Sequence, residues 1–331
     1  MQGTPLFLAT DYQELVPSRG SEVFIRLYAL QSRYYIWCAP PAVSDAETLP
    51  RLIPAQRDQL RGHERLRLCC AEIRHRYNEG QLVLSETAQK HAKMELRIAH
   101  LYARFLNIYG DRGNIIALTQ RAKWRNIDVT VSAIGLDQEA DPEYFDLYFI
   151  GGGQDKQQQI IAQDLVKRAK HLKQAADNGA VFLTICGGYQ LLGHYYKPHE
   201  GDELKGISLI DAHTVAGDRR MIGNVLIRRA DESTLVGFEN HSGKTYLGKD
   251  VQPLGKVVVG NGNNGEDGGE GAQSGKIYGT YLHGSLLPKN PQFCDTLILQ
   301  ALTRRYGEIH LDALDDTLEN GAHKRALSLP A

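Results

Sequence analysis

The sequence predicts a three-layer α/β fold with a mostly parallel central sheet, and three observations carry that expectation. Short apolar runs alternate with helix-like stretches between residues 94 and 193, the runs at 146–150 and 180–185 are apolar at nearly every position, and a glycine run follows the first of these directly. A strand covered by helices on both faces has no solvent side, so it reads as an unbroken apolar run. Alternation with helices then makes neighbouring strands parallel.

The elements follow in order. Residues 94–102 read as the first strand, and Gly110-Asp111-Arg112-Gly113 as the loop that opens a helix over 114–125. A second strand covers 128–134. The run Asp146-Leu147-Tyr148-Phe149-Ile150 is a third, ending in Gly151-Gly152-Gly153. One long helix is expected over 157–178, stopped by Gly179, before a buried strand over 180–185. Beyond Gly206 the pattern changes to short strands at 222–228, 234–239, 255–259 and 276–281, and a helix over 292–306 closes the domain. Residues 260–275, almost wholly Gly, Asn, Glu, Asp and Ser, are expected to form a mobile surface loop.

The first ninety residues differ in character, with arginine far outnumbering lysine and no sustained period. Pieces at 22–30 and 34–38 suit short strands and 55–77 an Arg-rich helix, but no strand–helix alternation follows. The expected organisation is an extension over 1–93, poorly ordered or belonging to a mis-assigned start, a domain over 94–307, and a tail over 308–331. Because Met94 immediately precedes the first credible core strand, the natural protein is expected to begin there.

Composition excludes several function classes. A formal charge of −1 in 331 residues gives no reason to expect a nucleic-acid partner. Five irregularly spaced cysteines, Cys38, Cys69, Cys70, Cys186 and Cys294, form no C-x-x-C pair, so neither a metal site nor a disulfide framework is expected. No apolar run approaches the roughly 18 residues of a membrane span, and a cytoplasmic protein without membrane insertion is the expectation.

The chemistry concentrates in VFLTICGGYQLLG, residues 181–193, where Cys186 stands between a buried strand and a helix. A nucleophile on such a tight turn projects above the sheet edge, and the glycines after it prevent collisions with nearby backbone. The helix N-terminus favours a thiolate, and the Gly187 N–H can donate to an oxyanion. A thiol needs a base. His283 in IYGTYLHGSLLPKN, just past an apolar strand, can take the thiol proton and return it to a leaving amine, worth on the order of a hundredfold or more in rate. His241, among polar turn residues, is the rival and is assigned a structural or site-lining role. The Gly151–Gly153 run supplies further bare amides, and no G-K-[ST] follows as a phosphate loop requires.

Taken together, LNIYGDRGNIIAL, DLYFIGGGQD, LTICGGYQLLG, GFENHSGKTYLG and GTYLHGSLLPKNP resemble the cobyric-acid-synthase-like branch of the class I glutamine amidotransferases, which are flavodoxin-like. Within it they are most similar to the glutaminase subunits of lipid II isoglutaminyl synthases. The likeness covers residues 94 to about 307. It implies Cys186 as nucleophile of a γ-glutamyl thioester, His283 as base, Arg220 in DRRMIGN as holder of the glutamine carboxylate, Gly152 and Gly187 as oxyanion hole, and Gln190 in the glutamine pocket. Arg219 adjoins Arg220 and competes with it for that role. Many class I members carry a glutamate two residues after the histidine, where this chain has Ser285; Asp111 is the candidate to orient the imidazole, with an N-cap for the following helix as the alternative.

The resemblance implies no cofactor in this chain. ATP and Mg²⁺ are expected on a Mur-ligase-like synthetase subunit, forming a heterodimer that takes the ammonia and amidates the α-carboxyl of D-glutamate in lipid II for peptidoglycan synthesis. A cobyrinate-type amidotransferase domain, a non-catalytic binding module on the same fold, and a cysteine peptidase or γ-glutamyl hydrolase are the alternatives.

Overall fold

Val181–Ile185 carries no charged residue, and it becomes a strand whose five residues are all buried. Around it the computed structural model describes residues 12–15, 24–30, 33–39, 53–54, 93–138 and 141–328. The chain divides into two units, residues 1–92 and 93–331.

In the first unit, strands β1 (Tyr12–Leu15), β2 (Phe24–Leu30), β3 (Arg33–Ala39) and β4 (Ile53–Pro54) pair antiparallel in that order. β2 and β3 fall where short strands were expected. The Arg-rich helix expected over 55–77 lies outside the described residues.

The second unit opens with β5 (Glu95–Leu101), α1 (Arg112–Trp124), β6 (Asp128–Ile134) and β7 (Leu147–Ile150). Next come α2 (Asp155–Lys167), α3 (Ala169–Asp177), β8 (Val181–Ile185) and the short helix α4 (Gly187–Leu192). The single long helix expected over 157–178 is therefore two. They meet at Arg168, whose guanidinium is drawn off to Asp164 at 2.6 Å and to the carbonyls of Gly135 and Gln138.

β9 (Tyr195–Lys197), β10 (Leu204–Lys205), β11 (Ala212–Arg228), β12 (Thr234–Leu247), β13 (Gly255–Val259) and β14 (Gly269–Glu270) build a second sheet, antiparallel except where β9 meets β11. β15 (Ala272–Ser274) and β16 (Ile277–Thr280) return to the first, whose order is β15-β16-β8-β7-β5-β6 and whose pairs are parallel except β15–β16. A 3₁₀ turn over Leu287–Lys289 leads to α5 (Pro291–Tyr306), which packs on α1, β5 and β8 through Phe293, Leu297, Ile298 and Ala301.

Two expectations need correction. The stretch 260–275 is not a mobile loop, because Asn263 and Glu270 within it are fully buried. Glu270 accepts the Tyr281 N–H at 2.6 Å, and Asn263 bonds both the N–H and the carbonyl of Gly271. Composition forbids an apolar core there, but buried polar side chains with complete hydrogen bonding serve instead. The stretch after Gly307 carries helix α6 (Thr317–Leu327), and Asp316 before it pairs with Arg121 at 2.6 Å. His323 on α6 ties to the Lys289 carbonyl and to Thr234, so this segment is fastened to the domain.

Sheet register brings the chemistry together. β16 runs parallel to β8 with Thr280 opposite Ile185, and the Cys186 N–H donates to the Thr280 carbonyl at 2.8 Å. Cys186, one residue past β8, and His283, three past β16, thus emerge at the same edge. β7 ends beside them, with Ile150 opposite Thr184, and delivers the glycine run. Carboxyl edges of parallel strands are where open α/β sheets place ligands.

Candidate active site

Cys186 has φ 49° and ψ −107°, a backbone conformation that a residue with a side chain adopts only at a cost of order 1–3 kcal/mol. Strand β8 before it and helix α4 after it hold the turn, and Cys186 is 6% exposed at the wall of a cavity of about 340 Å³. That volume lies in the range that takes a small organic ligand.

His283 is fully buried, held by a two-way backbone pair with Phe238. Its Nδ1 lies 3.2 Å from Asp111 Oδ1, and Asp111 is fully buried as well. The Nε2 makes no aligned hydrogen bond among the described residues. Burial opposes charge on the imidazole, but the neighbouring Cys186 thiolate and the Asp111 carboxylate outweigh it and push its pKa up to about 10. The imidazole is therefore held in its protonated form in this setting.

Asp111 does not cap α1: its side chain makes no capping bond, and its other oxygen accepts the Gly152 N–H at 2.6 Å. That bond also corrects the assignment of Gly152. Its amide holds the carboxylate and is not a free oxyanion donor. Gly152 must nevertheless lack a side chain, since a Cβ there would lie 2.6 Å from His283 Cε1 and 3.2 Å from Cys186 Cβ. Gly187 opens α4, where N–H groups have no partner within the helix, so its amide remains available as a donor.

Ser285, standing where a glutamate was looked for, donates from Oγ to the Gly110 carbonyl at 2.6 Å. It fastens the loop that carries Asp111 to the loop that carries His283, and so supports the orienting carboxylate from behind.

The two arginines separate. Arg220 lines the cavity, its Nε donating to Asn240 Oδ1 at 2.6 Å, while Arg219 turns to Asn261. A bulge explains this: β11 and β12 lose register between Ala216 and Met221, and the extra residues re-aim the Arg220 side chain. Gln190 also lines the cavity, donating from Nε2 to the Tyr281 hydroxyl at 3.0 Å. His241 is buried in the cavity wall, stacked on Tyr281 at 3.5 Å with Nδ1 donating to the Gly243 carbonyl. Cys294, by contrast, is buried in α5, and burial pushes its thiol up.

The CobB/CobQ-like glutamine amidotransferase domain matches residues 97–291. The chain belongs to this family.

Among curated glutamine amidotransferases, the lipid II isoglutaminyl synthase (glutamine-hydrolyzing) subunit GatD of Streptococcus pneumoniae (strain ATCC BAA-255 / R6) is 41% identical over 227 residues, covering 68% of this chain and 87% of that protein. The protein of the same name from Staphylococcus aureus (strain N315) is 44% identical over 211 residues, 64% of this chain and 86% of its own length. Cobyric acid synthase of Pelotomaculum thermopropionicum is 29% identical over 218 residues, which is 39% of that longer protein.

Three residues of this amidotransferase site escaped the sequence reading. Gln158 on α2 is buried against Gly187 and Gln190, Tyr109 stands edge-on to His283 with ring centroids 5.1 Å apart, and Asn240 joins the Tyr109 hydroxyl to Arg220. A polar residue on the inner face of α2, one turn after the glycine run, was the available signal for Gln158. Among the described residues no group of three His, Cys, Asp or Glu side chains is placed to hold a metal, and no helix is long and apolar enough to cross a membrane.

Proposed function

We propose that this chain is the glutaminase subunit of a two-subunit amidotransferase, cleaving glutamine through a Cys186 thioester and passing ammonia to an ATP-dependent ligase. The observation that carries this reading is the buried Asp111–His283 pair beside Cys186, which lines an amino-acid-sized cavity together with Arg220. Arg220 takes the α-carboxylate, and the carboxamide carbon lies over Sγ. The thiolate attacks that carbon, and the displaced electron pair becomes an oxyanion facing the Gly187 N–H. Collapse breaks the carbon–nitrogen bond as His283 gives its proton to the departing nitrogen, leaving ammonia and a γ-glutamyl thioester. Neutral His283 next takes a proton from water, whose oxygen attacks the thioester, and glutamate leaves with the thiolate restored.

The names of the two GatD relatives support lipid II as the acceptor, amidated by a partner subunit that is here taken as a Mur-ligase-like protein holding ATP and Mg²⁺. The pair is taken to work in the cytoplasm. Incubation of the purified chain with glutamine tests the first half. Ammonia and glutamate should form at a rate that Cys186→Ala abolishes, and an equally active alanine variant removes the proposal. Adding the ligase, ATP and lipid II should then give an amidated stem; ammonia released without any capture removes the second half.

A further inference from the structure

Gln158 has one end of its amide fully committed and the other uncommitted. Its nitrogen lies 3.3 Å from the Gly187 carbonyl and 2.8 Å from Gln190 Oε1. A backbone carbonyl only accepts, so the atom facing it must be Nε2 and not Oε1. The rest of the chain of bonds agrees. Gln190, having presented its oxygen to Gln158, donates from Nε2 to the Tyr281 hydroxyl, which is itself 2.7 Å from Thr245 Oγ1. Every amide in the row is therefore fixed against flipping.

The Oε1 of Gln158 accepts no hydrogen bond among the described residues, although the residue is 1% exposed and lines the cavity beside Cys186. Facing the cavity with no donor from the described residues, this oxygen is available to a donor on a ligand. Its side-chain amide packs against Gly187, the residue after Cys186, which sets it beside the nucleophile.

We propose that Gln158 is a specificity-determining residue that accepts a hydrogen bond from the substrate's carboxamide N–H and so selects an amide over a carboxylate. Glutamine offers two such hydrogens. The product glutamate offers only acceptor oxygens, which would face Oε1 lone pair to lone pair, so the same contact that recruits the substrate repels the product. This inference rests on the glutaminase reading above and adds to it a means of discrimination.

The test compares L-glutamine with its γ-methyl ester, which forms the same thioester with methanol leaving in place of ammonia but has no N–H at the reacting carbon. In the Gln158→Leu variant of the full chain, kcat/KM for glutamine should fall roughly tenfold or more, while that for the ester stays within about threefold of wild type. Inhibition by glutamate should become tighter relative to glutamine. If both substrates lose equally, Gln158 acts only by bracing the Cys186 turn and the proposal is overturned. A wild-type protein that hydrolyses the ester through Cys186 but shows no preference for the amide overturns it as well. Wild type inert toward both overturns the glutaminase reading and this inference together, which is a distinguishable result.

Discussion

Asp111 Oδ1 lies 3.2 Å from His283 Nδ1 although 172 positions separate the two residues, and the second Asp111 oxygen is held by the Gly152 N–H. One carboxylate thus joins three loops of the sheet edge and fixes which imidazole nitrogen faces the thiol. The neutral amide in Asp111→Asn would keep the shape while turning an N–H toward Nδ1, favouring the wrong tautomer. The expected result is a fall in kcat of about a hundredfold or more, with KM for glutamine changed much less. Steady-state kinetics alongside a melting curve checks this, and a kcat within about twofold of wild type removes the orienting role.

The same geometry sets a pH limb. Burial disfavours the imidazolium, but the Cys186 thiolate and Asp111 raise His283 to about 10, above its ordinary value near 6.5. A pKa raised on folding stabilises the native state fully below the ordinary value, and that stabilisation is lost as pH rises through about 10. Activity follows the same sign, because the proton that leaves is the one ammonia must receive. Plots of kcat/KM against pH should stay level to about 9 and then fall. In Asp111→Asn the limb should move to lower pH; an unmoved limb would separate Asp111 from the titration.

Much of this site was legible in the sequence for a physical reason. β7 and β8 are buried on both faces and so stand out as apolar runs, and a cysteine or histidine at the end of such a run can only emerge at the sheet edge. Asp111 was legible by half, since the same residue before a helix also suits a cap. Tyr109 and Asn240 were not legible, because their polar contacts exist only after distant segments meet. The full length of β11 was hidden by its bulge between Ala216 and Met221, which interrupts the alternation of buried and exposed positions that a strand shows.

That bulge supports a sharper expectation about charge. Arg220 faces the cavity and Arg219 faces Asn261, so two adjacent arginines should behave differently. Arg220→Ala should raise KM for glutamine tenfold or more, the order expected when a charged hydrogen-bonding partner of a carboxylate is lost. Arg219→Ala should leave kcat and KM within about twofold of wild type. Equal effects in the two variants would mean that the carboxylate is held elsewhere.

Glu270 yields a prediction about stability. Burial is the main influence on its carboxyl, and with the nearby Glu239 charge it pushes the pKa up to about 7 against the lowering effect of hydrogen bonds from the Tyr281 N–H and the Thr280 hydroxyl. For an acid whose pKa rises on folding, the native state holds the proton more tightly than the unfolded chain. The associated stabilisation is complete below the ordinary value of 4.5 and fades as pH rises through about 7. Melting temperatures of the wild type should therefore fall between pH 5.5 and 8, by an amount set by a free-energy change of a few kcal/mol. Glu270→Gln cannot ionise yet keeps an oxygen to accept the Tyr281 N–H, so it should flatten that part of the curve and match or exceed the wild type at pH 8. Parallel curves for the two proteins would show that Glu270 does not change its protonation in this range and that another group governs the slope.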